Sequence, residues 1–208
     1  MAKFPEPPSV EDLSAIAPET HVLRAGTELW RVYFRSGAHP TLWGQLRSFG
    51  PTRARFDHHP APPRVHADCA ITYAAKVVPT ALAEAFQDSR LIDRQRGSPW
   101  LAGFRLARDV VLLDLTQAWP TRAGASMNIN SGPRPRAQRW SRRIHAAYPS
   151  VEGLCYSSSM NANAPIVALY ERAASAIPPA PSFNRPLSDP ALLAALRNAA
   201  IRVGYRLR

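Results

Sequence analysis

An α+β fold, with one mixed sheet and flanking helices in a single compact domain, is predicted for this chain by three observations. Strand-sized apolar runs such as Val110–Leu113 are interleaved with helical patterns. They are interleaved without the strict strand–helix–strand unit of a doubly wound sheet and without an internal repeat. The 208 residues, 46% hydrophobic and 20% charged, suffice for one enclosed core. No run approaches the roughly 18 to 20 apolar residues of a bilayer span. The start carries Pro5, Glu6, Pro7, Pro8, Glu11 and Asp12 where a signal peptide would be apolar, so the chain reads as cytoplasmic. Cys69 and Cys155 lie far apart with no C-x-x-C, which suits a reducing compartment and two buried thiols.

Residues 1–28 read as a Pro-rich surface arm with one short helix from Ser9, its N-cap with Asp12 at N3, to Ile16. Residues 29–208 then form the domain. Glu28–Phe34 is a strand with Trp30, Val32 and Phe34 on one face and Leu29, Arg31 and Tyr33 on the other. Gly50-Pro51 opens a loop through Arg53, Arg55 and Phe56 to Pro63, in which the prolines forbid regular pairing. Ala70–Ala74 is a buried strand containing Tyr73. Val78-Pro79-Thr80 stops it and starts a helix, with Thr80 as N-cap, running to about Asp88 and carrying Glu84 one turn in. Arg108–Leu115 is a strand buried on both faces. A Gly/Ser/Asn/Pro-rich loop over 123–135 leads to a helix over 136–147, spaced by Trp140, Ile144 and Ala147. Strands follow at 153–158 and 164–170. Ser188-Asp189-Pro190 starts a helix to about Ala200, and a last strand covers 201–207.

The formal net charge of +11 can signal a polyanionic partner. Yet all basic residues but Lys3 and Lys76 are Arg, spread along the chain with no block, and direct nucleic-acid binding is set aside. P-loop, dinucleotide-fold, nucleophile-elbow and zincin motifs are absent. Asp57, His58, His59, His66, Asp68 and Cys69 are all metal-ligand types. Their spacing matches no compact zinc module, and a Pro-rich loop with surface histidines explains them as well, so no metal is assigned.

A different set is more informative. Arg31, Arg55, Tyr73 and Glu84 each stand where a side chain could face a cleft, and Tyr156-Ser157-Ser158 adds hydroxyls. Arginine forks hold phosphate oxygens, tyrosine offers a flat face and serine offers hydrogen bonds, which together suit a pyrophosphate-linked nucleotide.

These residues resemble the RES-domain family. The matching stretches are Leu-Trp-Arg-Val at 29–32, Ala-Arg-Phe-Asp at 54–57, Thr-Tyr-Ala-Ala at 72–75, Thr-Ala-Leu-Ala-Glu at 80–84 and Gly-Leu-Cys-Tyr-Ser-Ser at 153–158. The resemblance implies a core similar to that of ADP-ribosyltransferases and the role of an NAD-degrading toxin in a toxin–antitoxin pair. It implies Glu84 and Arg31 as catalytic, and Arg31, Arg55, Tyr73, Tyr33 and Ser158 as substrate-binding. The family pattern Tyr-x-Ser points to Ser158 within the run Ser157–Ser159. Where many relatives have an Arg soon after, this chain has Met160 and Asn161. NAD would be substrate, with no cofactor and no metal, and water, phosphate or a macromolecule would be the acceptor. The implied partner is a separately encoded antitoxin with an Xre-type helix-turn-helix region. The alternatives are an ADP-ribosyltransferase acting on a macromolecule, a noncatalytic basic nucleic-acid-binding module and a metal-dependent hydrolase built on His58, His59 and His66.

Overall fold

The structure, a computed structural model, describes residues 3–208. Its strands are β1 (Thr20–Leu23), β2 (Glu28–Phe34), β3 (Phe49–Gly50), β4 (Arg64–Val65), β5 (Ile71–Ala75) and β6 (Leu91–Ile92), followed by β7 (Pro99–Arg105), β8 (Val110–Asp114), β9 (Gly153–Ser157), β10 (Pro165–Tyr170), β11 (Phe183–Pro186) and β12 (Arg206–Leu207). The helices are α1 (Val10–Ser14), α2 (Val78–Ala85), α3 (Trp119–Arg122), α4 (Arg134–Ala147) and α5 (Leu193–Val203). Among the described residues no helix is long and apolar enough to cross a membrane.

Eight strands form one mixed sheet in the order β1-β8-β9-β10-β5-β2-β7-β11, parallel only between β8 and β9. This is the α+β architecture predicted. One core lies where α1, α3 and α4 pack on the sheet through Leu13, Trp119, Trp140, Ile144 and Tyr170, all fully enclosed. A second joins α2 and α5 to β7 through Leu82, Leu101 and Leu196. Between the two halves the sheet is barely closed. β2 pairs with β7 along its whole length but with β5 only at Trp30↔Ala75. Beyond that pair Ile71 bonds instead to the backbone of Arg47, so β2 and β5 part and a cleft opens between them.

Several expectations are corrected. The segment 1–28 is not a free arm: β1 is the sheet's edge strand on β8, and Phe4 and Leu13 are buried. Residues 1–2 of that segment lie outside the described residues. Ser9 does cap α1, its side chain accepting from the Asp12 N–H at 3.0 Å. The helix carrying Glu84 starts at Val78, with Val77 rather than Thr80 at the N-cap. Pro79 fits inside the first turn because that turn's N–H groups have no intrahelical acceptor, and Thr80 is buried. α4 likewise begins at Arg134 with Pro135 in its first turn. β7 and β11 were not expected, because Pro99, Gly103 and Pro186 interrupt the strand pattern. Of the last strand predicted over 201–207 only Arg206–Leu207 forms, as β12, since α5 continues to Val203 and ends at Gly204 in the left-handed region, φ 69°.

Candidate active site

The cleft encloses about 230 Å³. That falls below the roughly 300 to 1,000 Å³ of a site for a drug-sized ligand, so it suits one end of a larger molecule. β2 lines it with Trp30, Arg31, Val32 and Phe34, β5 with Tyr73, and α2 with Glu84, while the β3–β4 loop adds Arg55 and β9 adds Tyr156 and Ser157. Arg31, Arg55, Tyr73 and Glu84, from four separate segments, thus meet in one place.

Arg31 is only 8% exposed and has no carboxylate partner. Its Nη1 donates to the carbonyls of Trp43 and Gln45, at 2.8 and 3.0 Å, while Nε is buried and unpartnered. Burial pushes the guanidinium down to about 10, so it stays charged at neutral pH. A buried cation without a carboxylate, in the lining of a cleft, is a demand for an anion. Arg55 reaches the same space and is anchored by donating to the Gly132 carbonyl at 2.5 Å, beside the start of α4. Burial lowers its pKa as well.

Glu84 is half-buried, and burial raises its pKa above the usual carboxylate value. The Ser158 hydroxyl, donating to Oε1 at 2.6 Å, and the charges of Arg55 and Arg134 oppose that rise. Ser158 is 1% exposed and also accepts from the N–H groups of Met160 and Asn161, at 3.1 and 3.0 Å. Its oxygen is therefore occupied, and it acts on the cleft through Glu84 rather than by facing it. Of its neighbours, Ser157 and Ser159 line the cleft. Asn161 ties the same turn to α2 by donating to Thr80 Oγ1 at 2.8 Å.

Tyr73 presents a buried hydroxyl without a partner, and desolvation holds its pKa far above 10. Tyr33 is not in the cleft. Its hydroxyl donates to Asn184 Oδ1 at 2.8 Å, and its ring lies 5.9 Å from the Arg31 guanidinium, which it supports from behind.

Three lining residues were missed. Arg134 sits in the first turn of α4, donating to Gln87 Oε1 at 2.7 Å. Gln87 itself is held by the Glu84 carbonyl. Asn130 donates to the Leu115 carbonyl but leaves a buried Oδ1 free. The loop over 123–135 concealed Arg134 and Asn130, although a basic residue at a helix start facing other arginines is itself a signal, since the helix dipole disfavours a cation there. With Arg134 counted, the cleft lining holds three guanidinium groups and one carboxylate.

The histidines are not on the surface. His58, His59 and His66 are buried, at 4, 0 and 9% exposure, as are Asp57 and Cys69, whereas Asp68 is exposed. They lie apart from the cleft lining.

The RES domain profile matches residues 28–188, a span that contains every residue just described in the cleft. No curated protein matches the chain. Among solved structures, a chain of the M. tuberculosis MbcT–MbcA toxin–antitoxin complex has a similar fold. Its TM-score is 0.58 at 15% identity, covering 91% of this chain and 96% of that one.

Proposed function

This chain belongs to the RES domain family, and from that premise we propose that it is the toxin of a toxin–antitoxin pair and cleaves the nicotinamide–ribose bond of NAD. The carrying observation is the buried, carboxylate-free Arg31 opening on a cleft with three guanidinium groups and the single carboxylate Glu84. Such a lining fits a dianionic pyrophosphate at one end and a centre that becomes cationic at the other.

The chemistry asks little else of the protein. When the C1′–N bond of NAD breaks, its electron pair stays on the pyridinium nitrogen and nicotinamide leaves neutral, so no general acid is needed. Positive charge develops on the ribose as an oxocarbenium ion. Glu84 meets that charge, in a half-buried setting where a fixed carboxylate acts more strongly than in water. Ser158 holds Oε1 and leaves the second oxygen for a ribose hydroxyl. Arg31 and Arg55, with Arg134, grip the pyrophosphate so that binding energy orients the sugar. Tyr73 and Trp30 supply flat walls. Water adding to C1′ and releasing its proton gives ADP-ribose, and inorganic phosphate in its place gives the 1-phosphate of ADP-ribose. Tyr33 and Ser158 are positioning residues, one behind Arg31 and one behind Glu84.

Draining NAD in the cytoplasm would harm the host, so the reading includes a separately encoded antitoxin of the Xre type. A cleft with an excess of two positive charges suits an acidic inhibitory segment. The test is controlled expression of the parent and Glu84→Gln in cells, with the NAD pool measured. The pool should collapse with the parent and persist with Glu84→Gln or with the adjacent reading frame co-expressed. An undiminished pool during parent expression would refute the proposal.

A further inference from the structure

The loop between β3 and β4 folds His58 and His59 inward, with His66 buried just beyond β4, and the NAD chemistry uses none of them. His58 Nδ1, His59 Nε2 and His66 Nε2 are each buried without a hydrogen-bond partner. Leaving a buried polar atom unpaired is costly, so the adjacent His58 and His59 call for a common ligand. The opposite nitrogens of the first two are engaged by carboxylates: His59 Nδ1 with Asp57 Oδ1, and His58 Nε2 with Glu171 Oε2 at 3.1 Å. Asp57 is fixed in turn by Arg47 Nη2 at 2.8 Å and the Thr52 N–H at 2.7 Å. A carboxylate on one imidazole nitrogen, leaving the other bare, is how proteins orient histidines toward a metal ion. His58, His59 and Cys69 can each place one ligand atom within 4.8 Å of the others.

We propose that His58, His59 and Cys69 bind a divalent cation of the zinc class. Imidazole and thiolate donors select zinc over magnesium or calcium, and a water molecule would complete the coordination. Binding forms a metal–sulfur bond and expels the Cys69 thiol proton to solvent, with no change of oxidation state. A neighbouring group, His58, His145 and Glu171, offers a poorer site. There Glu171 already bridges both imidazoles, its Oε1 lying 2.5 Å from His145 Nε2. The ion would pin the loop that carries Arg55 into the cleft, so the site supports the catalytic cleft without joining it.

The test is titration of the chelator-treated full chain with Co²⁺, followed by displacement with Zn²⁺. About one Co²⁺ per chain should bind with tetrahedral visible bands and a near-ultraviolet thiolate charge-transfer band. The chain has two cysteines, so Cys69→Ser should lose the charge-transfer band and Cys155→Ser should keep it. Should Cys69→Ser not fold, the parent still decides the matter: Zn²⁺ should protect Cys69 from alkylation, read by peptide mass spectrometry. Absence of Co²⁺ binding, a spectrum without the thiolate band, or equal alkylation with and without Zn²⁺ would overturn the proposal.

Discussion

Glu84→Gln keeps the size of the side chain, its helix propensity and an oxygen to accept the Ser158 hydrogen bond, and removes only the negative charge. Two effects of opposite sign follow from its setting. Glu84 is the one carboxylate in the cleft lining, and deleting a single preorganised electrostatic group costs about 3 to 4 kcal/mol of transition-state stabilisation, or about 100- to 1,000-fold in rate. The charge it meets exists only in the transition state, so NAD affinity, set by Arg31, Arg55 and Arg134, should change far less. Stability should move the other way. Burial raises the folded-state pKa of Glu84 above its unfolded value. The stabilisation that this shift represents is present below the unfolded pKa and lost as pH rises through the folded pKa. At pH 7 to 8 the ionised carboxylate therefore burdens the fold, and the variant should melt at or above the parent temperature, the difference closing in acid. Single-turnover rates, binding isotherms and melts at several pH values measure all three quantities. A near-parental rate would reduce Glu84 to a surface helix residue, and a lower melting temperature at pH 8 would refute the burial argument.

Three further outcomes are expected. Ser158→Ala removes the hydrogen bond that favours ionised Glu84, so the acid limb of the pH–rate profile should move to higher pH; an unmoved limb would mean that the serine is only packing. Arg31→Ala should weaken NAD binding by about 10- to 100-fold, the range for losing hydrogen bonds to a charged group, whereas unaltered affinity by calorimetry would place the pyrophosphate elsewhere. Gly153→Ala should destabilise by about 1 to 3 kcal/mol, because a Cβ there would collide with the Ala168 backbone carbonyl and lie 2.9 Å from Leu112 Cδ2; a melt within a degree of the parent would contradict that packing.

Local chemistry was legible where local rules decide. Alternation in Glu28–Phe34 located β2 to the residue and put Arg31 on its buried face. Ser9 announced a cap, and the Trp140 and Ile144 spacing announced the buried face of α4. What the sequence hid was decided by distant partners. β7 keeps its strand despite Pro99 and Gly103 because β2 pairs with all seven of its residues. Thr80 reads as a cap but is buried, because Pro79 is accommodated one position earlier in the helix. For the cleft, Arg31, Arg55, Tyr73 and Glu84 could be named from their elements. Arg134 and Asn130 could not, because their loop reaches the cleft only once α4 has docked. The histidine loop misled in the opposite direction: its prolines suggested an exposed turn, whereas Asp57, Thr52 and Arg47 tie it into the interior.

The central claim is that this cleft breaks the nicotinamide–ribose bond, and incubation of the purified protein as isolated, with no metal added, with NAD tests it most directly, with and without inorganic phosphate and with products resolved by mass. The account predicts release of nicotinamide in both samples, together with ADP-ribose or, where phosphate is the acceptor, its 1-phosphate. NAD recovered unchanged after long incubation with folded, inhibitor-free protein would contradict it.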